Sequence, residues 1–284
     1  MLPDLPIPPL ATLVELERVA LHVATEAALL IVDRSAATVA ATKSSPTDVV
    51  TEMDRRSQEL VQTLLRAERP QDGFFGEEDG RAAGTSEITW VVDPIDGTVN
   101  YVYDIPAYAV SVAAVVGDPQ TPGAWRPVAG AVVNPVTGER FWARAGGGAW
   151  RQRGRFDPIA VHASGQADPA ASLVATGFSY DADTRAWQAA VLTEVLPAVR
   201  DIRRGGSAAL DLCHVADATL DAYYEHGLNP WDFGAGWLIV EEAGGAVAGP
   251  SGQAPDRPMT IAAGAGFGAL SELVRRALEA ADRG

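Results

Sequence analysis

The sequence holds one cysteine, Cys213, in 284 residues, so no internal disulfide forms and no cysteine-based zinc site is assembled. Histidine is nearly as scarce: His22, His162, His214 and His226 show no ligand spacing. No run approaches the roughly 20 apolar residues of a membrane span. The helix expected over residues 13–33 is interrupted by Glu15, Glu17, Arg18, His22 and Glu26, which makes it amphipathic. The opening MLPDLPIPPL lacks a basic start and a continuous apolar stretch, so export is not expected. With a lone cysteine, the expected location is a reducing cytoplasm. Basic residues are few: 22 Lys and Arg face 37 Asp and Glu, a net charge of −15. A nucleic-acid backbone would be repelled by that average field, and no nucleic-acid or membrane partner is expected. An acidic protein that handles a small anion needs local positive charge, and bound metal supplies it.

Apolar residues make up 47% of the chain, enough for one large domain or two moderate ones. After the first helix, Ser44-Ser45-Pro46 marks a loop, and a second helix is expected over residues 54–69 with Leu60, Leu64 and Leu65 on its apolar face. The segments GFFGEED and ITWVVD read as strand ends that run straight into carboxylates. Residues 108–150 carry β-rich segments (AVSVAAVV, VAGAVVN, ERFWARA, GAWRQ) split by turn residues, an antiparallel meander. Beyond residue 160 strands alternate with helices: SLVATGF, a helix over 184–196, DIRRG, a helix over 207–216, LDAYYE, then helices over 232–243 and 269–281. A soft boundary at 155–160 separates an N-terminal α+β half, 1–157, from a C-terminal α/β half, 158–284, packed as one catalytic unit.

The chemistry concentrates in WVVDPIDGTVNYVYDIP. A strand ending in Asp93 is broken by Pro94, and Gly97 supplies a sharp turn that presents backbone amides and the Thr98 hydroxyl beside Asp93 and Asp96. An isolated Asp-Pro is an ordinary turn former, but acids and anion-binding amides in one place suit a cation bridging to an anion. Three other acidic groups are individually bland. Glu77 and Glu78 resemble a solvated loop, while Asp54 and Asp232 each open a helix and read as N-caps.

Jointly these segments resemble a known pattern. GEE, then DPIDGT after an apolar strand, then WDFGAGWLIVEEAGG are similar to the signature sequences of the inositol monophosphatase family, and KSSPTDVVTEMD is similar to its upstream lysine-containing segment. The resemblance implies the layered αβαβα sandwich of the sugar-phosphatase type and two or three Mg²⁺ ions, which hard oxygen ligands suit. It assigns Glu77, Asp93 and the Ile95 carbonyl to one metal, Asp93, Asp96 and Asp232 to a second, and Glu77 with waters to a third. It implies direct in-line hydrolysis of a phosphate monoester, with Asp54, Glu77 and Thr98 catalytic and Thr98 oriented by Asp54. Asp96, Gly97, Thr98, Gly206, Ala208 and Glu225 fall at its substrate-binding positions. Lithium inhibition and a homodimer are further family expectations. Relatives act on inositol monophosphates, histidinol phosphate, fructose bisphosphate and 3′-phosphoadenosine 5′-phosphate; the stretch GTVNYVYDIPAYAVSVA looks most like bacterial inositol monophosphatases. Inositol-1-phosphate is thus the expected substrate, histidinol phosphate or a broader range of sugar phosphates the alternative, and a fold-retaining interaction protein a third reading.

Two segments mimic other chemistry. DADTR resembles the DxDxT nucleophile of haloacid-type phosphatases, but Arg185 stands where the threonine belongs; GAGFGAL resembles a dinucleotide loop without a βαβ unit after it. Asp104, where the family often has glycine, and Gly234, where it often has alanine, depart from the pattern.

Overall fold

The computed structural model describes residues 5–33, 39–42, 49–78 and 80–283. The lysine-containing segment's residues 43–48 lie outside them. Helix α1 (Leu10–Ile31) buries Leu13, Leu16, Ala20, Val23, Ala27 and Ile31 along one face, a spacing of three and four that places them on one stripe. It begins earlier than residue 13 because Pro9, just before it, is compatible with a helix start. A short hairpin, β1 (Val39–Thr42) with β2 (Val49–Thr51), leads into α2 (Glu52–Glu68). There follow β3 (Gly73–Gly76), β4 (Arg81–Ala82), β5 (Ile88–Asp96), the short α3 (Thr98–Tyr103) and β6 (Ala109–Gly117). Strands β7 (Trp125–Val133), β8 (Glu139–Arg144), β9 (Ala149–Arg153) and β10 (Ile159–Val161) complete the first sheet.

That sheet runs β10-β9-β8-β7-β6-β5-β3-β4, antiparallel except where β3 lies parallel to β5. Strands β5, β6 and β7 are buried almost end to end. They are apolar without alternation because helices cover both faces of the sheet. The meander expected over 108–150 therefore begins a strand earlier, at β5, and ends at Val161.

The rest of the chain forms β11 (Leu173–Thr176), α4 (Ala182–Val195), β12 (Asp201–Arg203), α5 (Ala208–Ala216), β13 (Ala222–Glu225), α6 (Pro230–Glu242), β14 (Ala246–Ala248), β15 (Thr260–Ala263) and α7 (Phe267–Ala281). Its sheet is ordered β12-β11-β13-β15-β14, with the first three strands parallel and the last two pairings antiparallel.

Three apolar cores hold the layers. One joins α1 and α2 to the first sheet through Leu16, Val23, Met53 and Val61 against Trp90, Val112 and Val128. A second places α5 and α6 between the sheets, with Leu212, Phe233, Trp237 and Ile239 touching both Ala113 and Val132 on one side and Tyr223 and Ala262 on the other. The third seats α4 and α7 on the outer face of the second sheet, with Val191, Val195 and Val274 beside Val174 and Ile261. The order helix, sheet, helix, sheet, helix is the αβαβα sandwich. Cys213 is fully buried within the middle layer. The GAGFGAL segment connects β15 to α7, and Asp181 of DADTR caps α4 by accepting the Thr184 amide at 2.8 Å.

Candidate metal centre and active-site cavity

The site lies at the end of β5. In a regular strand, side chains three positions apart point to opposite faces. Here the pairing jumps from Asp93↔Ser111 to Asp96↔Ala109, three steps on β5 against two on β6. One extra residue makes a β-bulge, and Pro94, which has no N–H to give the ladder, sits inside it. The bulge corrects the parity, so both carboxylates face the same place. The distortion is pinned locally: Ile95 donates its amide to Asp93 Oδ1 at 2.9 Å, and Ser57 of α2 donates its hydroxyl to the Pro94 carbonyl at 3.1 Å. Gly97 then turns the chain at φ +95°, and an added Cβ there would lie 3.0 Å from the carbonyls of both Ala107 and Gly206. Glycine is required for the dihedral and for the space.

Asp54 and Asp232 are not N-caps, as the sequence suggested, but third residues of their helices. Thr51 caps α2, and its amide donates to Asp54 Oδ2 at 2.7 Å; Asn229 caps α6, and its amide donates to Asp232 Oδ2 at 2.6 Å. This is the reciprocal half of a capping box. It fixes one carboxylate oxygen at the cap and leaves the other for the site. Asp54, fully buried, accepts the Thr98 hydroxyl at Oδ1 at 3.1 Å, and Thr98 also lies 3.1 Å from the Ile95 carbonyl.

Carboxylate oxygens of Asp93, Asp96 and Asp232 lie within 4.8 Å of one another. They share a cavity of about 520 Å³ with Glu77, Ile95, Gly97, Thr98, Gly206, Ala208 and Glu225. Every residue placed at the site from the sequence therefore lines one space, except Asp54, which reaches it through Thr98. Glu77 stands beside the three aspartates without joining their tight group.

The electrostatics fit a cation. Burial, and then the Glu77 charge, push Asp232 well above the usual carboxylate range. Burial likewise raises Asp96 to about 6, although the Ser207 hydroxyl and the Ala209 amide, 2.7 Å away, donate to its Oδ2 and oppose the shift. Acids crowded together out of water resist ionisation until a positive charge joins them. All the donors are oxygens, which selects a hard cation over one preferring nitrogen or sulfur. Glu225, at the end of β13, is raised to about 7 chiefly by burial and accepts the Tyr223 hydroxyl at 2.6 Å.

Several contributors escaped the sequence reading. Ser207 and Tyr223 hold Asp96 and Glu225 by single side-chain bonds. Gly177 leaves room for Glu225, whose Oε2 would be 1.9 Å from an added Cβ. Asp211, buried on α5, is raised by burial and then by the charges of Glu225 and Asp96. Ser207 and Gly177 meet their partners only across the fold, whereas Tyr223 meets Glu225 two residues along β13, in a segment with no motif of its own.

Fold and donor set together define a layered protein whose cavity floor is built to hold hard cations beside a fixed hydroxyl. Comparison with known proteins gives its kind: the chain belongs to the inositol monophosphatase family, whose pattern matches residues 12–282. It is 47% identical over 218 residues to an inositol-1-monophosphatase of Mycobacterium leprae, covering 75% of this chain and 72% of that protein. It is 37% identical over 209 residues to the Nus factor SuhB of Pasteurella multocida, covering 72% and 73%. Among solved structures, Mycobacterium tuberculosis SuhB superposes with a TM-score of 0.77 at 40% identity, covering 93% of this chain and 97% of that one. Membership supports a phosphatase role and dependence on metal. Among the described residues no helix is long and apolar enough to cross a membrane.

Proposed function

We propose that the chain hydrolyses phosphate monoesters with Mg²⁺, two or three ions per site, and that inositol-1-phosphate is its principal substrate. The observation that carries this reading is the meeting of Asp93, Asp96 and Asp232 on one cavity floor, beside a Thr98 hydroxyl held by Asp54. Glu77, Asp93 and the Ile95 carbonyl would hold one ion, Asp93, Asp96 and Asp232 another, and Glu77 a third. Bound Mg²⁺ supplies a lowered pKa for water and positive charge for the phosphate and the departing alkoxide.

The chain's own groups do the rest. Thr98 donates its proton towards Asp54 Oδ1, so its oxygen lone pairs are available to accept a proton from water entering the cavity. Thr51 and the helix cap keep Asp54 in place for that transfer. Gly97 and Thr98 line the cavity, and their amides would donate to the non-bridging phosphate oxygens. Glu225, with Gly206 and Ala208, lines the wall that receives the alcohol. Both halves of the chain contribute to one catalytic unit, and we further propose a cytoplasmic homodimer inhibited by Li⁺.

The mycobacterial relative's name supports inositol-1-phosphate, and the Pasteurella relative's name supports a second reading, action through a protein partner. Phosphate release from inositol-1-phosphate, histidinol phosphate and fructose-1,6-bisphosphate, run side by side, separates these. The highest kcat/KM is expected for inositol-1-phosphate. Release from none of them would favour the partner reading.

A further inference from the structure

Tyr223 and Glu225 stand two apart on β13, so their side chains leave the same face of the strand, the one turned to the middle layer. Tyr224 between them points the other way, into the third core. Strand β13 lies between β11 and β15, with Tyr223 opposite Ala175 and Ala262. The Tyr223 side chain is fully buried among the residues that lock α5 and α6 to both sheets, so its ring is fixed by packing.

The core asks only for the ring, and phenylalanine would supply it. The hydroxyl is a polar group added to a packed core, which costs stability unless it is bonded. Its one hydrogen bond among the described residues goes to Glu225 Oε2, at 2.6 Å. Burial, and then the charges of Glu225 and Asp211, push the Tyr223 phenol well above its ordinary value, so it remains a donor across the neutral range. Gly177 closes another side of the carboxylate: a Cβ there would lie 1.9 Å from Oε2, 2.1 Å from Cδ and 2.2 Å from Oε1, so Glu225 rests against the glycine backbone. Oε1 accepts from no group among the described residues and is not enclosed, and Glu225 lines the cavity. Held at Oε2 and backed by Gly177, the glutamate offers one oxygen in one direction, with little rotamer freedom left to lose when substrate binds.

We propose that Tyr223 is a positioning residue for recognition of the alcohol: its hydroxyl holds Glu225 Oε2 and thereby aims Oε1 at a hydroxyl group of the substrate. A preference for polyol esters over esters whose alcohol carries no free hydroxyl then depends on one oxygen atom of a side chain that does not itself line the cavity. This rests on the phosphatase reading of the cavity and adds the group through which Glu225 is made selective.

p-Nitrophenyl phosphate is a monoester with no free hydroxyl on its leaving group, so kcat/KM for inositol-1-phosphate divided by kcat/KM for p-nitrophenyl phosphate isolates that preference. With Mg²⁺-loaded protein, Tyr223→Phe, which keeps the ring, should lower this ratio by about tenfold, the scale of one hydrogen bond, through a rise in KM for inositol-1-phosphate. Glu225→Ala should lower it at least as far, and adding Tyr223→Phe to that variant should change it by less than about twofold, because the tyrosine acts only through the glutamate. A tyrosine that merely supports the fold would lower Tm and both kcat/KM values together and leave the ratio alone. The inference is overturned if the ratio survives in Tyr223→Phe, or if the two substitutions multiply in the double variant. If wild type cleaves neither ester, the phosphatase reading fails separately. In that case, and where only one ester is cleaved, calorimetry with inositol-1-phosphate and Mg²⁺ decides: binding that weakens about tenfold in Tyr223→Phe sustains the positioning role, and equal or absent binding removes it.

Discussion

Asp54 and Asp232 occupy the same position in two helices, the third residue after the cap, and in each the cap amide holds Oδ2. A carboxylate fixed at one oxygen presents the other with little freedom left, which is what a proton acceptor or a metal ligand needs. Removing the acceptor from Asp54 by Asp54→Ala should therefore cost twice, about 1 kcal/mol in stability from the cap and a loss in kcat from an unanchored Thr98. Thermal unfolding and steady-state kinetics on the same preparation check this; a change in stability alone would contradict the role given to Thr98. Gly177 makes a sharper residue-scale case. A methyl group there meets Glu225 Oε2, so Gly177→Ala should lower kcat/KM by about a hundredfold, the scale of a misplaced group. Unchanged kinetics would mean that Glu225 does not face the alcohol.

Gly234 bears on the element scale. It lies inside α6, and an added Cβ would sit 3.5 Å from Ala113 Cβ and 3.6 Å from the Trp125 ring, ordinary contact distances. Gly234→Ala should stabilise the protein by about 1 kcal/mol and raise Tm by about 2–4 °C. A lower Tm would show that the helix needs the gap. Asp104, the other departure from the family pattern, closes α3 at φ +62°, a left-handed position that glycine fills most easily and Asp tolerates.

The long elements were legible because their signals are local. The period of α1, the apolar runs of β5, β6 and β7, and the turn residues of the meander each sit within one segment. What hid was non-local or short. The six residues of α3, TVNYVY, are rich in β-branched and aromatic side chains and carry no helix signal of their own; their helix starts at the left-handed Gly97 turn. The bulge at Pro94 was visible as a break, but its effect on the direction of Asp93 and Asp96 needs the partner strand β6. Asp54 and Asp232 were correctly placed at helix starts, yet the caps belong to Thr51 and Asn229, three residues upstream. Gly177 on the cavity wall, and Ser207 and Tyr223, which hold Asp96 and Glu225, carry no motif of their own.

At the scale of the molecule, the second core locks the two sheets together through α5 and α6, and the cavity draws residues from both sides of that layer. The same closure buries acids, with consequences for stability. Glu225 rises from 4.5 to about 7 and Asp96 from 3.8 to about 6 when the chain folds. The metal-free folded protein thus holds protons that the unfolded chain has already released, and its stability falls as pH rises from about 4.5 through 7. Cations bind the deprotonated carboxylates, so the gain in Tm from Mg²⁺ over EDTA should widen between about pH 5 and 7.5. A gain independent of pH would place the bound ions away from these acids.

The claim on which the account rests is that Asp93, Asp96 and Asp232 hold the ions that make phosphate-ester hydrolysis possible. Phosphate release from inositol-1-phosphate, titrated with Mg²⁺ in wild type and in Asp93→Asn, tests it most directly. The account predicts saturable activation of the wild type and a loss of about a hundredfold or more in the variant at any Mg²⁺ concentration. Equal release by the two proteins, or release from wild type that persists in EDTA, would contradict it.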